Sequence, residues 1–401
     1  MTRKKIFYFC RRGQGSHFQF YTGWVMEAKK RGLPIQLVTT ISFKEFFNIN
    51  PNFRKKEFIF IPCFKIIDTL VIILFFIFQF LRNEYTIVQL RKRNSFIFQK
   101  LKYFFSKKFK YIIESEGDLV FEYEFLETHP YKKHFYDHIL KNKERDFKNY
   151  KRELLKADHI ICVSENLKRL YSSRYNINEK KLTALTTGCD SNIFYYNKEK
   201  RDKMRKDLGL KSNFVLIYIG NVYYSWQNIS LTLKYYKIIR KRKRKTKLII
   251  LTRFIDKPIL LNFLDKYDID PSEIILKYSI PNKLVPDYLN AANLGIILRE
   301  DHPMNHFASP GKFGEYACCG LPILTGKGIA GFSDKLSKTP YGIVLDNIYD
   351  NSEFLIKTLK FMENYENLDR IEISKWGNLN FSFNVYIDKY TQLLKRLLNE
   401  N

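Results

Sequence analysis

Short apolar runs alternate with longer amphipathic stretches along almost the whole chain. Residues 5–10 form an apolar run of strand length. Arg11-Arg12-Gly13-Gln14-Gly15 follows, then a helical stretch over 19–31, Gly32, and a second apolar run over 34–40. Strand, glycine loop, helix and strand make a βαβ unit, which implies a parallel sheet. The alternation continues with a helix over 69–81 before a strand over 85–90, and a helix over 95–105 before a strand over 110–114. Residues 157–167 read as a helix end, a strand and a new helix with Ser164 at its N-cap. A Lys- and Arg-rich helical segment, 195–210, leads to Phe214-Val215-Leu216-Ile217-Tyr218-Ile219, which is apolar at every position and ends in Gly220-Asn221. That is the pattern of a strand buried on both faces. A helix over 229–239, a strand over 248–252, a helix–turn–strand over 285–298 and a final helix over 386–398 complete the reading.

The prediction is an α/β chain with two parallel-sheet domains. A length of 401 residues accommodates them. We place them at 1–200 and 201–380, with 381–401 as a terminal helix packing back on the first.

Composition narrows the chemistry. Six cysteines are scattered, with no Cys-x-x-Cys pair, so neither a zinc site nor a redox dithiol is suggested, and a reducing cytoplasm suits the usage. No signal peptide is visible, because the apolar run after Lys4-Lys5 is short and stops at Arg11-Arg12. The most apolar segment, 69–81, falls short of the roughly 20 residues a bilayer span needs, so it is expected to be a buried or interfacial helix. The formal net charge of +28 is spread along the chain, with one dense cluster over 240–247. No recognised nucleic-acid module accompanies that charge, so attraction to an anionic membrane surface is its simplest use. His134 and His138 are four apart but lack an evident third ligand, and no metal is expected.

Candidate chemistry concentrates in Ala308-Ser309-Pro310-Gly311-Lys312-Phe313-Gly314-Glu315-Tyr316. Ser309 suits an N-cap and Pro310 a first helical position. Gly311 leaves the backbone N–H groups unshielded, and a helix N-terminus attracts anions. Lys312 adds a full charge, and Glu315, three residues on, shares its face. A cation for a diphosphate beside a carboxylate for sugar hydroxyls is what a nucleotide-diphosphate sugar requires. Gly320-Leu321-Pro322 then ends the helix and opens the next strand.

This stretch resembles the glycosyltransferase family 4 phrase Ser-Pro-x-Lys-x-x-Glu-Tyr-x-x-x-Gly-x-Pro-Val-Ile, matched here by Ser309, Pro310, Lys312, Glu315, Tyr316, Gly320, Pro322 and Ile323. Ala157-Asp158-His159-Ile160 through Val163-Ser164, and Thr187-Gly188-Cys189-Asp190 with Phe194, resemble two further phrases of the family. The resemblance implies a GT-B fold, two Rossmann-like domains facing a central cleft. It also implies a retaining, metal-independent glycosyltransferase with no cofactor beyond its donor substrate, of the kind that serves polysaccharide biosynthesis. The acceptor would be a glycan or lipid-linked glycan, met at the inner face of the membrane.

By the same resemblance the donor would be bound by Gly13, Gly15, Gly220, Asn221, Arg253, Ser309, Pro310, Gly311, Lys312 and Glu315. Lys312 would stabilise the leaving group, and Glu116 and Asp118, in an acid-rich loop, would orient the acceptor. Phe307 stands where the family often has a first glutamate, and the loop 222–228 lacks the family's basic pair. Lys312 would then be helped by Arg253, or by Arg11 and Arg12. Two other readings stay open: a sugar-nucleotide epimerase of the same fold, and a non-catalytic basic adaptor for membrane or nucleic acid.

Overall fold

The computed structural model describes residues 4–10, 16–42, 47, 57–63, 68–91, 95–128, 141–186, 188–222, 224–253, 257–329 and 331–400. The chain divides into two compact units. One comprises Met1–Leu119, Asn142–Thr186 and Tyr386–Asn401; the other comprises Val120–Lys141 and Thr187–Val385. Each unit holds one parallel sheet, so the chain is an α/β protein with two Rossmann-like domains.

The first sheet has seven strands: β1 (Lys4–Cys10), β2 (Ile35–Ser42), β3 (Phe58–Cys63), β4 (Tyr85–Arg91), β5 (Phe109–Ser115), β6 (His159–Cys162) and β7 (Leu182–Ala184). Their spatial order is β3-β2-β1-β4-β5-β6-β7. Ile6, Phe7, Tyr8 and Phe9 of central β1 are all buried, because helices cover both faces of a parallel sheet. Its helices are α1 (Ser16–Lys30), α2 (Asp68–Arg82), α3 (Ser95–Phe105), α5 (Lys143–Lys156) and α6 (Glu165–Tyr175); between α3 and α5 in the chain, α4 (Leu119–Thr128) belongs but for its first residue to the second unit. Ser164 caps α6 as expected, its hydroxyl accepting from the Leu167 N–H at 3.1 Å. Strand β3 was not legible in advance. It carries Pro62, which argues against a central strand but is tolerated at an edge, where β3 lies.

The second sheet has six strands: β8 (Phe214–Ile219), β9 (Thr246–Thr252), β10 (Ile274–Tyr278), β11 (Leu294–Ile297), β12 (Ile323–Gly326) and β13 (Gly342–Leu345). They lie in the order β10-β9-β8-β11-β12-β13. The helices are α7 (Lys198–Asp207), α8 (Ile229–Arg242), α9 (Lys257–Lys266), α10 (Val285–Ala291), α11 (Pro303–Phe307), α12 (Gly311–Cys318), α13 (Phe332–Ser337), α14 (Asn351–Glu363), α15 (Arg370–Phe381) and α16 (Phe383–Asn399). Leu216, Leu248 and Leu294 pack in one apolar layer with α8; Val215, Ile217 and Ile249 pack in another with α12. Two covered faces explain why β8 carries no polar residue. Most of α16 belongs to the first unit, where Tyr390 donates to Gln89 at 2.7 Å and Lys4 to the Leu398 carbonyl at 2.7 Å.

Both sheets reverse their building direction once, between β1 and β4 and between β8 and β11. Open α/β sheets hold ligands at the carboxyl ends of strands flanking such a switch point. The opposite edge of this sheet, where β11 and β12 begin, is braced by Arg370. Buried, it donates to the carbonyls of Leu289, Asn290, Ala292, Cys319 and Gly320, and so ties the end of α10 to the end of α12. Gly320 has φ +62°, and a Cβ there would meet the Arg370 carbonyl oxygen at 2.2 Å. Only glycine fits that helix stop.

Candidate functional site

In the second unit the conspicuous chemistry lies at the β8/β11 switch point. Helix α12 starts there, but not on Ser309. Pro310 takes the N-cap place with φ −74° and ψ 106°, and the Phe313 N–H bonds its carbonyl at 2.9 Å. The sequence reading is corrected by one residue. Proline's fixed φ and extended ψ open the first turn at Gly311, leaving Ser309 just outside. The Ser309 hydroxyl is buried without a partner among the described residues. A Cβ placed on Gly311 would meet nothing within 4 Å, so the helix start opens onto free space.

Two cations converge on this opening. Lys312, partly buried, donates to the Gln227 side-chain oxygen at 3.3 Å. Arg299 follows β11 and is also partly buried. Burial first, and the positive charge of Arg299 second, hold the Lys312 ammonium down to about 8. Burial likewise lowers Arg299, to about 10, with Tyr218 opposing. The carboxylate that offsets Lys312 among the described residues is that of Glu315. Glu315 is itself pushed up to about 7 by burial, with Lys312 pulling the other way. Two desolvated cations beside one reluctant carboxylate leave a net positive site, and burying charge without a partner costs free energy.

Arg299 is the residue the sequence reading missed. Its signal was a lone arginine directly after an apolar strand, at the edge where ligands bind. Gln227 was missed as well. Its side-chain oxygen accepts from the Asn221 N–H at 2.6 Å as well as from Lys312, so it links the loop after β8 to α12. Gly220 makes room for it, since a Cβ there would lie 2.3 Å from that oxygen. Tyr316 contributes from α12, its hydroxyl accepting from the Ile219 N–H at 3.2 Å. Gly220, Asn221, Ser309, Pro310, Gly311, Lys312 and Glu315 therefore belong to one edge of the second sheet. Arg253 stands exposed at the end of neighbouring β9. Gly13, Gly15, Arg11, Arg12, His134 and His138 lie outside the described residues. Phe307, in place of a glutamate, packs its ring 5.3 Å from that of Phe121.

The first unit has a polar network at its own switch point. Tyr8 of β1 and Gln89 of β4 both donate to Glu114 at the end of β5, Gln89 at 3.2 Å. Burial raises the Glu114 carboxyl, with Arg91 opposing. Arg91, one pairing step across from Glu114, grips Glu116 through its Nε at 2.7 Å and lies over the Tyr21 ring at 4.4 Å. Glu116 is partly exposed. Asp118 is fully buried and accepts from the Tyr175 hydroxyl at 2.8 Å, where it braces the start of α4 away from solvent.

Replacing Gly311 by alanine is expected to leave the fold intact or to stabilise it by about 0.5–1 kcal/mol, as in other unstrained helical glycine positions. The added methyl group would occupy the opening and weaken anion binding several-fold. Thermal unfolding and UDP titration of the variant check both halves.

No protein-family model matches the chain, and no curated protein matches it. Solved structures do. Sucrose-phosphate synthase from Thermosynechococcus elongatus aligns over 100% of this chain and 100% of its own, with TM-score 0.74 and 12% identity. HepE from Anabaena, solved in complex with UDP, aligns over 98% of this chain and 100% of its own, with TM-score 0.70 and 10% identity. A glycosyltransferase from Rickettsia africae aligns over 100% of both chains, with TM-score 0.67 and 15% identity. At these identities the likeness establishes the fold: two Rossmann-like domains of the GT-B type.

Proposed function

We propose that this chain is a glycosyltransferase that moves a sugar from a nucleotide-diphosphate sugar to a glycan or lipid-linked acceptor. The observation that carries this reading is the pair of desolvated cations, Arg299 and Lys312, set against the one carboxylate of Glu315 among the described residues at an open helix start. A diphosphate supplies that anion. It would sit against the N–H groups of α12, with the Ser309 hydroxyl as a further donor, while Glu315 accepts from sugar hydroxyls. The HepE structures with UDP and UDP-glucose support the choice of ligand class. The reaction is read as retaining and metal-independent. Arg299, Lys312 and the helix dipole stabilise charge on the leaving diphosphate, the largest electrostatic demand of the step. In the first unit, Glu116, held by Arg91, would orient the acceptor hydroxyl; buried Asp118 is left out of that role. The excess of basic residues would keep the enzyme peripherally on anionic membranes, where a lipid-linked acceptor is found.

Binding should be linked to protons. A diphosphate beside Lys312 raises its affinity for a proton, so UDP binding near pH 8 should take up about half a proton per site. Calorimetry in two buffers of different ionisation enthalpy measures this, with a panel of nucleotide-diphosphate sugars as ligands. Failure of the whole panel to bind would overturn the reading. Binding without proton uptake would place the anion elsewhere.

A further inference from the structure

Helix α2 is apolar on the wrong side. Ile72, Phe76 and Phe80, spaced four apart, are buried against the first unit's core, as a covering helix requires. Its outward stripe should be polar. It is instead Leu70, Leu74, Phe78 and Leu81, between 53% and 65% exposed, and residues 69–81 contain no charge at all. The surface continues onto α3, which packs beside α2 and exposes Phe96, Tyr103 and Phe104, the last at 75%. An apolar face of this extent on a folded unit marks something that covers it.

The flanking charge says what. Residues 95–113 carry five lysines and no carboxylate. Arg82 lies over the Phe78 ring at 6.0 Å, and Lys100 over the Phe96 ring at 4.6 Å. On neighbouring α5, Arg152 approaches the same Phe96 ring at 5.9 Å. Lys107 and Lys108 are exposed just past α3. Apolar side chains interleaved with long cationic ones can sit at a headgroup boundary, stems and rings inward and charges at the phosphates. A second copy of the chain fits badly, since a symmetric contact would press like charges together.

We propose that the α2–α3 face of the first unit is the surface by which this protein lies on an anionic bilayer, with Leu70, Leu74, Phe78 and Leu81 inserted and the exposed Lys100, Lys107 and Lys108 on the phosphates. Helix α2 lies in the interface and does not cross it. At 1.5 Å per residue its length is about 22 Å, below the roughly 30 Å hydrocarbon core. No helix among the described residues is long and apolar enough to span a membrane. This inference rests on the peripheral-membrane reading above and assigns it a face.

The test uses the full chain with vesicles of phosphatidylcholine alone or mixed with phosphatidylglycerol. The wild type should float with the anionic vesicles only and be released by high salt. Leu74→Gln with Phe78→Gln should weaken that binding roughly tenfold or more, as should Lys107→Glu with Lys108→Glu. Lys241→Glu with Lys245→Glu, in the exposed basic cluster of the second unit, should change it little. The variant F78W keeps the apolar character of the site and guards against a folding artefact. Its fluorescence should be quenched by brominated lipid beyond the wild-type level. If the wild type binds anionic vesicles, the α2 variant binds equally and F78W is not quenched, the face is wrong while membrane association stands. If the wild type binds no vesicle, both fall. A concentration-dependent dimer in lipid-free solution, dissolved by the α2 substitutions, would replace the bilayer with a second copy of the chain.

Discussion

Lys312→Ala is expected to lower turnover on the order of 10²–10³-fold without lowering stability near neutral pH. The first half follows from the role of a positioned cation. It acts where charge develops on the leaving diphosphate, and removal of one such group typically costs that much. The second half follows from what the lysine costs the fold. Burial and Arg299 bring its ammonium from 10.5 to about 8. Below about pH 8 the folded and unfolded chains both carry the proton, so the folded chain bears the full penalty. As the pH rises from about 8 to 10.5 the folded chain gives up the proton first, and the penalty disappears. At pH 7 its upper bound is about 3 kcal/mol, and lost packing of the lysine stem offsets part of any gain. The unfolding temperature of the alanine variant at pH 7 should therefore equal or exceed that of the wild type. Initial-rate kinetics should show the loss mainly in kcat. A variant with normal turnover, or one that fails to fold, would remove Lys312 from the chemistry.

Much of this was legible before any coordinates. The alternation of apolar runs and amphipathic stretches gives two parallel sheets because the covering helices leave the inner strands no polar face, as β1 and β8 show. The Ser164 cap is local chemistry, and local chemistry reads well. The helix start over 309–312 was also visible, though displaced by one residue because proline rather than serine holds the cap. What could not be read were pairings made only by folding. Gln227 reaches Lys312 across 85 residues of chain, and Tyr8 meets Glu114 across 106. Arg299 lies thirteen positions before Lys312, too far for any helical or strand period to link them. The absent basic pair after β8 pointed to a charge deficit, and the second cation beside Lys312 is Arg299, just past β11 on the strand across the switch point. The outward face of α2 was hidden for a different reason. An all-apolar segment too short to span a membrane reads as a buried helix, and only the sheet beneath it shows which half is left in water.

Glu315→Gln should separate binding from stability in opposite directions. The Glu315 carboxyl is raised from 4.5 to about 7, by burial and against the pull of Lys312. Below about pH 4.5 the group is protonated in both states, and its ionisation costs the fold nothing. Between about 4.5 and 7 the unfolded chain ionises first and stability falls; above 7 the penalty is complete. The Lys312 penalty is complete below 8. The unliganded protein is thus least favoured by this pair between about pH 7 and 8, the window in which both charges are present to meet a donor. Glutamine keeps the shape and removes the ionisation, so the unliganded variant should unfold at a higher temperature than the wild type at pH 7.5. The difference should vanish near pH 4.5. Donor affinity should move the other way. A carboxylate accepting hydroxyl hydrogen bonds contributes roughly 1.5–3 kcal/mol, so the variant should bind its nucleotide sugar about ten- to hundredfold more weakly. Thermal melts at the two pH values and calorimetric titration of the donor measure the two effects independently. A stabilised variant with unchanged affinity would leave Glu315 as a buried acid with no ligand, whereas stabilisation with weakened binding is the signature of a site that gives up folding free energy to hold its substrate.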